Sequence, residues 1–367
     1  MRIGIDARLA GLQHAGIGRY IEELLRAILP LGEQHEWIIF VAESSQLSWL
    51  PISERVQKIV VPVKHYTVAE QLQMPLVFAK ANLDILHVPH FNLPLLYTGK
   101  VVLTIHDLLW HEQKDHNATT LSPLWHRLKY WAYKIVSGFA MKRAAYIIVP
   151  THAVEAVVRP HTSKPIRVIS EGFAQAYAGL TVAGSAKKSA LKEKYITYVG
   201  SLYPHKNVET ILSVLQQELH DLHLVLISGR SVFQEKFKTL IDRAGLTERV
   251  HMLGYQTDEK VAEYYQHAVA HVFPSLSEGF GLSGVEAMAA GCPVVCSDIP
   301  VFREVYKDAA SYVQPEDIKG WAKALTEVQD SSTRKGMIAA GKKVSSLYSW
   351  KKAAEETLTI YAKANTS

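Results

Sequence analysis

Residues 273–298, FPSLSEGFGLSGVEAMAAGCPVVCSD, decide how the rest of the chain is read. They run as the end of a strand, a glycine-rich turn, a helix and a continuously apolar second strand, the pattern of a βαβ unit in a parallel sheet. Glu278 and Glu286 have seven residues between them, among them Gly279, Gly281 and Gly284. Glycines let a backbone approach a ligand closely, and the helix start that follows offers unpaired N–H groups and a positive dipole end. The turn from Gly279 through Phe280, Gly281 and Leu282 to Ser283 therefore suits a diphosphate. A carboxylate ahead of the turn can bind sugar hydroxyls, and one in the first helical turns can accept from a ribose. The plainer alternative makes Glu278 a cap and Glu286 a solvated helix residue. Spacing alone weights the two readings evenly, and the glycine pattern favours the ligand site.

Working outward, short apolar runs alternate with amphipathic stretches in two successive arrays. The first has strand candidates at 2–6, 37–41, 58–61, 85–88, 101–105, 146–149 and 167–169. The second has them at 195–199, 222–228, 250–253, 270–273, 293–297 and 311–313. Residues 18–28 are the clearest helix, with Tyr20, Leu24, Leu25 and Ile28 on one face. Between the arrays, 173–190 is rich in Ala, Gly and Ser without periodicity and reads as an inter-domain linker. Two such arrays predict two doubly wound α/β domains, with ligand in the crevice at their strand C-termini.

Composition agrees. At roughly 100–200 residues per domain, 367 residues fit two domains. Hydrophobic residues at 48% and charged residues at 20% exclude a disordered or fibrous chain. Forty basic against 35 acidic residues is too mild a bias to indicate nucleic acid. Cys292 and Cys296 cannot build a disulfide framework and read as buried thiols. The opening MRIGIDARLAG has no leader-like apolar region, and no run approaches the ~20 apolar residues of a membrane span. The expectation is a soluble, cytoplasmic protein.

The 273–298 stretch resembles the E-x7-E motif of the retaining glycosyltransferases of family four. The resemblance rests on Phe273-Pro274-Ser275, Glu278-Gly279-Phe280-Gly281-Leu282, Glu286-Ala287-Met288-Ala289 and Gly291-Cys292-Pro293-Val294-Val295. It extends to Gly4-Ile5-Asp6-Ala7-Arg8, Gly16-Ile17-Gly18-Arg19-Tyr20, Thr104-Ile105-His106-Asp107 and Tyr348-Ser349-Trp350. It implies a GT-B fold, two Rossmann-like domains facing a central cleft. Residues 1–172 would bind acceptor and 191–347 donor, 173–190 would link them, and 348–367 would return as a helix onto the first domain. Catalytic roles would fall to His106 and Glu278. Donor contacts would come from Gly16, Gly18, Gly200, Ser201, Lys206, Gly279, Phe280, Gly281, Leu282, Ser283 and Glu286, and acceptor contacts from Arg19, His87 and His90. Lys206, in GSLYPHKN at 200–207, is placed as a point charge for a diphosphate. Where the family often has Arg after the glycine this chain has Ser201, and Arg230 is the substitute.

No Asp-x-Asp occurs, so neither metal nor other cofactor is expected. His87-x2-His90 lacks the further ligands of a metal site and reads as an acceptor loop. The resemblance is nearest to bacterial transferases adding mannose to surface polysaccharide. It implies GDP-mannose as donor, with a UDP-sugar as alternative, and a glycan or lipid-linked acceptor. Whether retention proceeds by same-face attack or a covalent intermediate stays open. Residues 124–143 are basic and amphipathic: a peripheral contact with the inner face of the membrane is one reading, a core-facing stripe the commoner one. Competing classes are a GT-B isomerase and a silent nucleotide- or sugar-binding module. A dinucleotide-binding dehydrogenase is excluded, because Gly16-x-Gly18 lies too far from the first strand and lacks the third glycine.

Overall fold

The computed structural model describes residues 1–11, 15–108, 123–177, 191–229 and 233–366. The chain divides into two compact units, Met1–Gly172 with Trp350–Ser367, and Phe173–Ser349.

The first unit contains β1 (Arg2–Asp6), α1 (Ala15–Leu31), β2 (Glu36–Val41), β3 (Val56–Val60), α2 (Val68–Lys80), β4 (Ile85–Val88), β5 (Val101–Thr104), α3 (Pro123–Arg143), β6 (Tyr146–Val149), α4 (His152–Val158) and β7 (Ile166–Val168). The strands form one sheet in the order β3-β2-β1-β4-β5-β6-β7, and every pairing is parallel. The central strands are buried along their length because helices cover both faces. On one face, Tyr20, Leu24, Leu25 and Ile28 of α1 share a core with Trp37 and with Trp350, Ile360 and Tyr361 of the return helix Trp350–Thr366. Helices α2 and α3 contribute Met74, Phe78, Ala140 and Met141 to the core against Leu86, Val101 and Ile147. Gly18 makes the α1 contact possible: a Cβ there would lie 2.3 Å from the Gly11 carbonyl oxygen.

The second unit contains β8 (Tyr195–Val199), α5 (Val208–Gln217), β9 (His223–Ile227), α6 (Gln234–Arg243), β10 (Val250–Met252), α7 (Asp258–His267), β11 (His271–Phe273), α8 (Leu282–Ala289), β12 (Val294–Ser297), α9 (Pro300–Tyr306), β13 (Ala310–Val313), α10 (Ile318–Glu327) and α11 (Ser331–Ser345). Its parallel sheet has the order β10-β9-β8-β11-β12-β13. Strand order thus reverses between β1 and β4 in one unit and between β8 and β11 in the other. In doubly wound sheets these reversals open the crevices where ligands bind.

Each expected strand is present, four of them with both ends as expected and the rest with ends shifted by a residue or two. The largest shift is at β3, which starts two residues earlier than expected because this edge strand's ladder also takes in Val56 and Gln57. Two expectations need correction. The linker does not begin at 173: Tyr177 is buried and its hydroxyl donates to Asp258 at the start of α7 (3.0 Å), so 173–177 belong to the second unit. The rest of that stretch, 178–190, lies outside the described residues. In α3, Trp131 and Ile135 are 62% and 60% exposed, so the stripe is not core-facing there. Ala140 and Met141 make that contact instead. Among the described residues no helix is long and apolar enough to cross a membrane. Cys292 and Cys296 are free and buried, and burial pushes the Cys292 thiol up to about 12.

Candidate functional site

In the second unit, the segments that leave β8 and β11 meet at the reversal. Lys206 closes a short 3₁₀ turn, and its Nζ lies 2.6 Å from Glu278 Oε1. The Ser275 hydroxyl donates to the same oxygen at 2.7 Å. Backbone bonds hold the two segments together. The Asn207 side chain donates to the Pro274 and Pro315 carbonyls, and Leu276 N donates to His205 O. Asn207 caps α5 in the left-handed region, at φ 52°, which turns the chain sharply after Lys206. An ammonium has three donors, so Lys206 can keep Glu278 and still receive an anion. Burial, then the Lys206 charge, lower the pKa of His205 to about 4, so that ring is neutral at ordinary pH.

Helix α8 starts just beyond Glu278. Glu286 on it is 3% exposed, which excludes the solvated-helix alternative. The turn glycines have a packing cause. A Cβ on Gly281 or Gly284 would lie 2.4 or 2.3 Å from the Tyr306 hydroxyl, which donates to Gly281 O. They bring α8 against α9, a packing role beside the ligand approach expected from the sequence. Phe280 is likewise a core aromatic, edge-on to Tyr348 at 5.2 Å, so its side chain is not a donor contact. Leu282 and Ser283 form the first turn of α8 and are half-buried. Beneath them lies a residue the sequence reading missed, His271. Its Nδ1 faces Thr197 O and its Nε2 faces Ser283 Oγ at 3.3 Å, while burial lowers its pKa to about 3. Gly200 N donates to Ile227 O, and Ser201 O accepts from the Tyr198 hydroxyl, so this turn is backbone-anchored. Arg230 lies outside the described residues.

In the first unit, His106 stands just past β5. Its Nδ1 lies 3.2 Å from Oε1 of Glu171, which follows β7. The Tyr20 ring meets it edge to face at 4.5 Å, and the Tyr20 and Thr104 hydroxyls are 3.1 Å apart. His106 Nε2 is buried and has no hydrogen-bond partner among the described residues. Glu171 was not singled out from sequence; the available signal was a carboxylate just beyond a strand on the edge that carries His106.

His87 is not an acceptor group. It is fully buried, with Nδ1 2.6 Å from the Tyr361 hydroxyl and Nε2 2.8 Å from Thr104 Oγ1, and burial lowers its pKa to about 3. The apolar environment of β4 turned that side chain inward to anchor the return helix. His90 is half-buried with Nδ1 3.2 Å from the Tyr66 hydroxyl. Gly16 is exposed and Arg19 half-buried at the start of α1. Gly18 is buried, and its Cβ side is filled by the packing described above.

Residues 14–174 match the family described as Glycosyltransferase Family 4, and residues 185–344 match Glycosyl transferases group 1. The chain belongs to the family 4 glycosyltransferases. It is similar to the O-antigen chain mannosyltransferase RfbU of Salmonella typhimurium, 25% identical over 73% of this chain and 71% of that one. It is 33% identical to the O-antigen chain mannosyltransferase B of Escherichia coli over 46% of this chain, a match spanning 45% of that relative's length. A sucrose-phosphate synthase from Thermosynechococcus elongatus has the same fold, with a TM-score of 0.82 over 99% of this chain and 98% of that one at 19% identity. The architecture of this glycosyltransferase is GT-B.

Proposed function

We propose that this glycosyltransferase moves mannose from GDP-mannose to a glycan or lipid-linked sugar in surface-polysaccharide synthesis, with retention and without metal. The observation that carries the reading is the Lys206–Glu278 pair at the β8/β11 reversal, beside the start of α8. The two O-antigen mannosyltransferase relatives support the choice of sugar and pathway class.

The nucleotide is assigned to the second unit. Lys206 meets the diphosphate, a charge-assisted contact worth ~1.5–3 kcal/mol. The first N–H groups of α8, at Leu282 and Ser283, face the same anion. Glu286 takes the ribose, and Glu278 takes sugar hydroxyls. As the diphosphate leaves, positive charge grows at the anomeric carbon, and the Glu278 carboxylate stabilises it. His106 is the polar group of the first unit that contacts the hexose. In same-face transfer the departing phosphate accepts the acceptor's proton. The acceptor is assigned to the first unit, with Gly16, Arg19 and His90 beside it. If the acceptor is lipid-linked, exposed Trp131 and Ile135 of α3, flanked by Lys134 and Lys142, supply a peripheral contact with an anionic bilayer.

The test is nucleoside-diphosphate release from GDP-mannose, UDP-glucose and UDP-galactose, with a lipid-linked sugar acceptor and excess EDTA. Release from GDP-mannose alone, with an α-linked product by NMR, is expected. Release only from a UDP-sugar overturns the donor, and loss in EDTA restored by Mg²⁺ overturns metal independence.

A further inference from the structure

Beside His106, Glu171 has a geometry that assigns it work. Its side chain is 8% exposed and that of His106 is 11% exposed, so neither is freely solvated. The carboxylate oxygen at 3.2 Å faces Nδ1 and not Nε2. An ionised carboxylate can only accept, so this contact requires the hydrogen on Nδ1. In a neutral imidazole the other nitrogen then carries a lone pair. That other nitrogen, Nε2, is the buried atom with no partner. A buried polar atom left unmade is costly, and one at a strand end on the ligand-binding edge of a doubly wound unit is where a bound ligand repays it.

The ring is also fixed in plane. Tyr20 packs its edge against it at 78° between planes. The Tyr20 hydroxyl is held by Thr104, Thr104 by His87, and His87 by Tyr361 of the return helix. Four elements, α1, β5, β4 and the return helix, therefore set the direction in which Nε2 points.

We propose that Glu171 is a positioning residue that locks His106 in its Nδ1–H tautomer and makes Nε2 an acceptor. The group His106 receives is then an O–H donor, a sugar hydroxyl, and not a phosphate oxygen, which brings no hydrogen. The proposal rests on the assignment of His106 to the sugar given above, but its physical content, the tautomer, is measurable without turnover.

The experiment uses the full chain with ¹⁵N-labelled histidine, and long-range ¹H–¹⁵N spectra at neutral pH, the His106 signals identified by their loss in His106→Gln. The wild type shows a neutral ring with hydrogen on Nδ1. Glu171→Gln, which keeps an acceptor oxygen and the side-chain volume, retains that tautomer and most of kcat. Glu171→Ala moves the hydrogen toward Nε2 and lowers kcat about tenfold or more, with donor KM nearly unchanged. A cationic ring or an Nε2–H tautomer in the wild type overturns the proposal. So does a Glu171→Ala protein with the wild-type tautomer and turnover, and so does one that loses turnover with its tautomer unmoved. If the tautomer shifts as stated but His106→Ala keeps its turnover, Glu171 positions the ring as proposed and the catalytic reading of His106 fails alone.

Discussion

Each sheet reverses its strand order beside a cation paired with carboxylate, yet the two reversals are built to opposite ends. At the β1/β4 reversal, the Arg8 guanidinium binds Asp6 at 2.7 Å and Glu70 of α2 at 2.8 Å, with side chains 0%, 4% and 0% exposed. Its Nη1 donates to Val63 O, and Glu70 also accepts from Tyr66 N and the Asn92 side chain. Burial opposes the charge on Asp6, but Arg8 outweighs it and holds that carboxyl below its usual value. At the β8/β11 reversal, Lys206 and Glu278 are 17% and 10% exposed. The same topology thus places a sealed network, in which one guanidinium makes four hydrogen bonds, in one unit and a half-open cation with spare donors in the other. What separates scaffold from site is the number of unspent hydrogen-bonding positions.

The largest expected effect lies on the sealed side. Arg8→Met strands two buried carboxylates, and losing one partner of a buried ion network costs about 3–5 kcal/mol. Urea unfolding should show that loss, with nucleotide binding by the surviving folded protein unchanged. A loss under about 1 kcal/mol would show that the network is not what holds the first reversal together.

Next come the open positions, where turnover and not stability should respond. Glu278→Ala and His106→Ala should each lower kcat about 100-fold, the scale of one lost electrostatic contact to a transition state. Melting temperatures should stay close to the wild type. A His106→Ala protein that melts several degrees lower but turns over normally would move that histidine to the scaffold side.

Smaller still, Glu286→Ala should weaken nucleoside-diphosphate binding by ~1–3 kcal/mol, the cost of leaving a site group unpaired. Calorimetry with GDP checks it, and equal affinity would remove Glu286 from the ribose.

The effect that is mildest near neutral pH compares the two units directly through His87 and His271, both buried with pKa lowered to about 3. Between that value and about 6.5 the unfolded chain binds a proton that the folded chain refuses. Stability is therefore full above pH 6.5, and each histidine removes about 1.4 kcal/mol per pH unit as the pH falls below it. His87→Gln should flatten this acid loss in the first unit and leave the second unit's slope alone, as followed by hydrogen exchange in each. Unchanged slopes in both would contradict the burial assigned to His87.

The comparison also explains what could be read in advance. The strands were legible because helices cover both faces and force continuous apolar runs. The second unit's candidate site was legible as a cluster because Lys206, Glu278 and Glu286 sit in two short stretches with strong turn chemistry. The first unit's was not, because His106, Glu171 and Tyr20 come from three distant segments and meet only through the order β1-β4-β5-β6-β7. His87 misled for a related reason: periodicity marks a strand but does not say that a polar residue within it will find Thr104 and Tyr361. The packing role of the glycines at 281 and 284 was hidden because sequence cannot reveal Tyr306 against them.

The return helix has a consequence for how the protein is made. The surface of α1 that it covers, around Tyr20 and Trp37, is synthesised early, yet Trp350, Ile360 and Tyr361 leave the ribosome after the whole second unit. The first unit therefore cannot close its core until the return helix arrives, and the second unit can finish first. An apolar flank waits through that interval, so a nascent chain halted before residue 350 should be the form most dependent on chaperones.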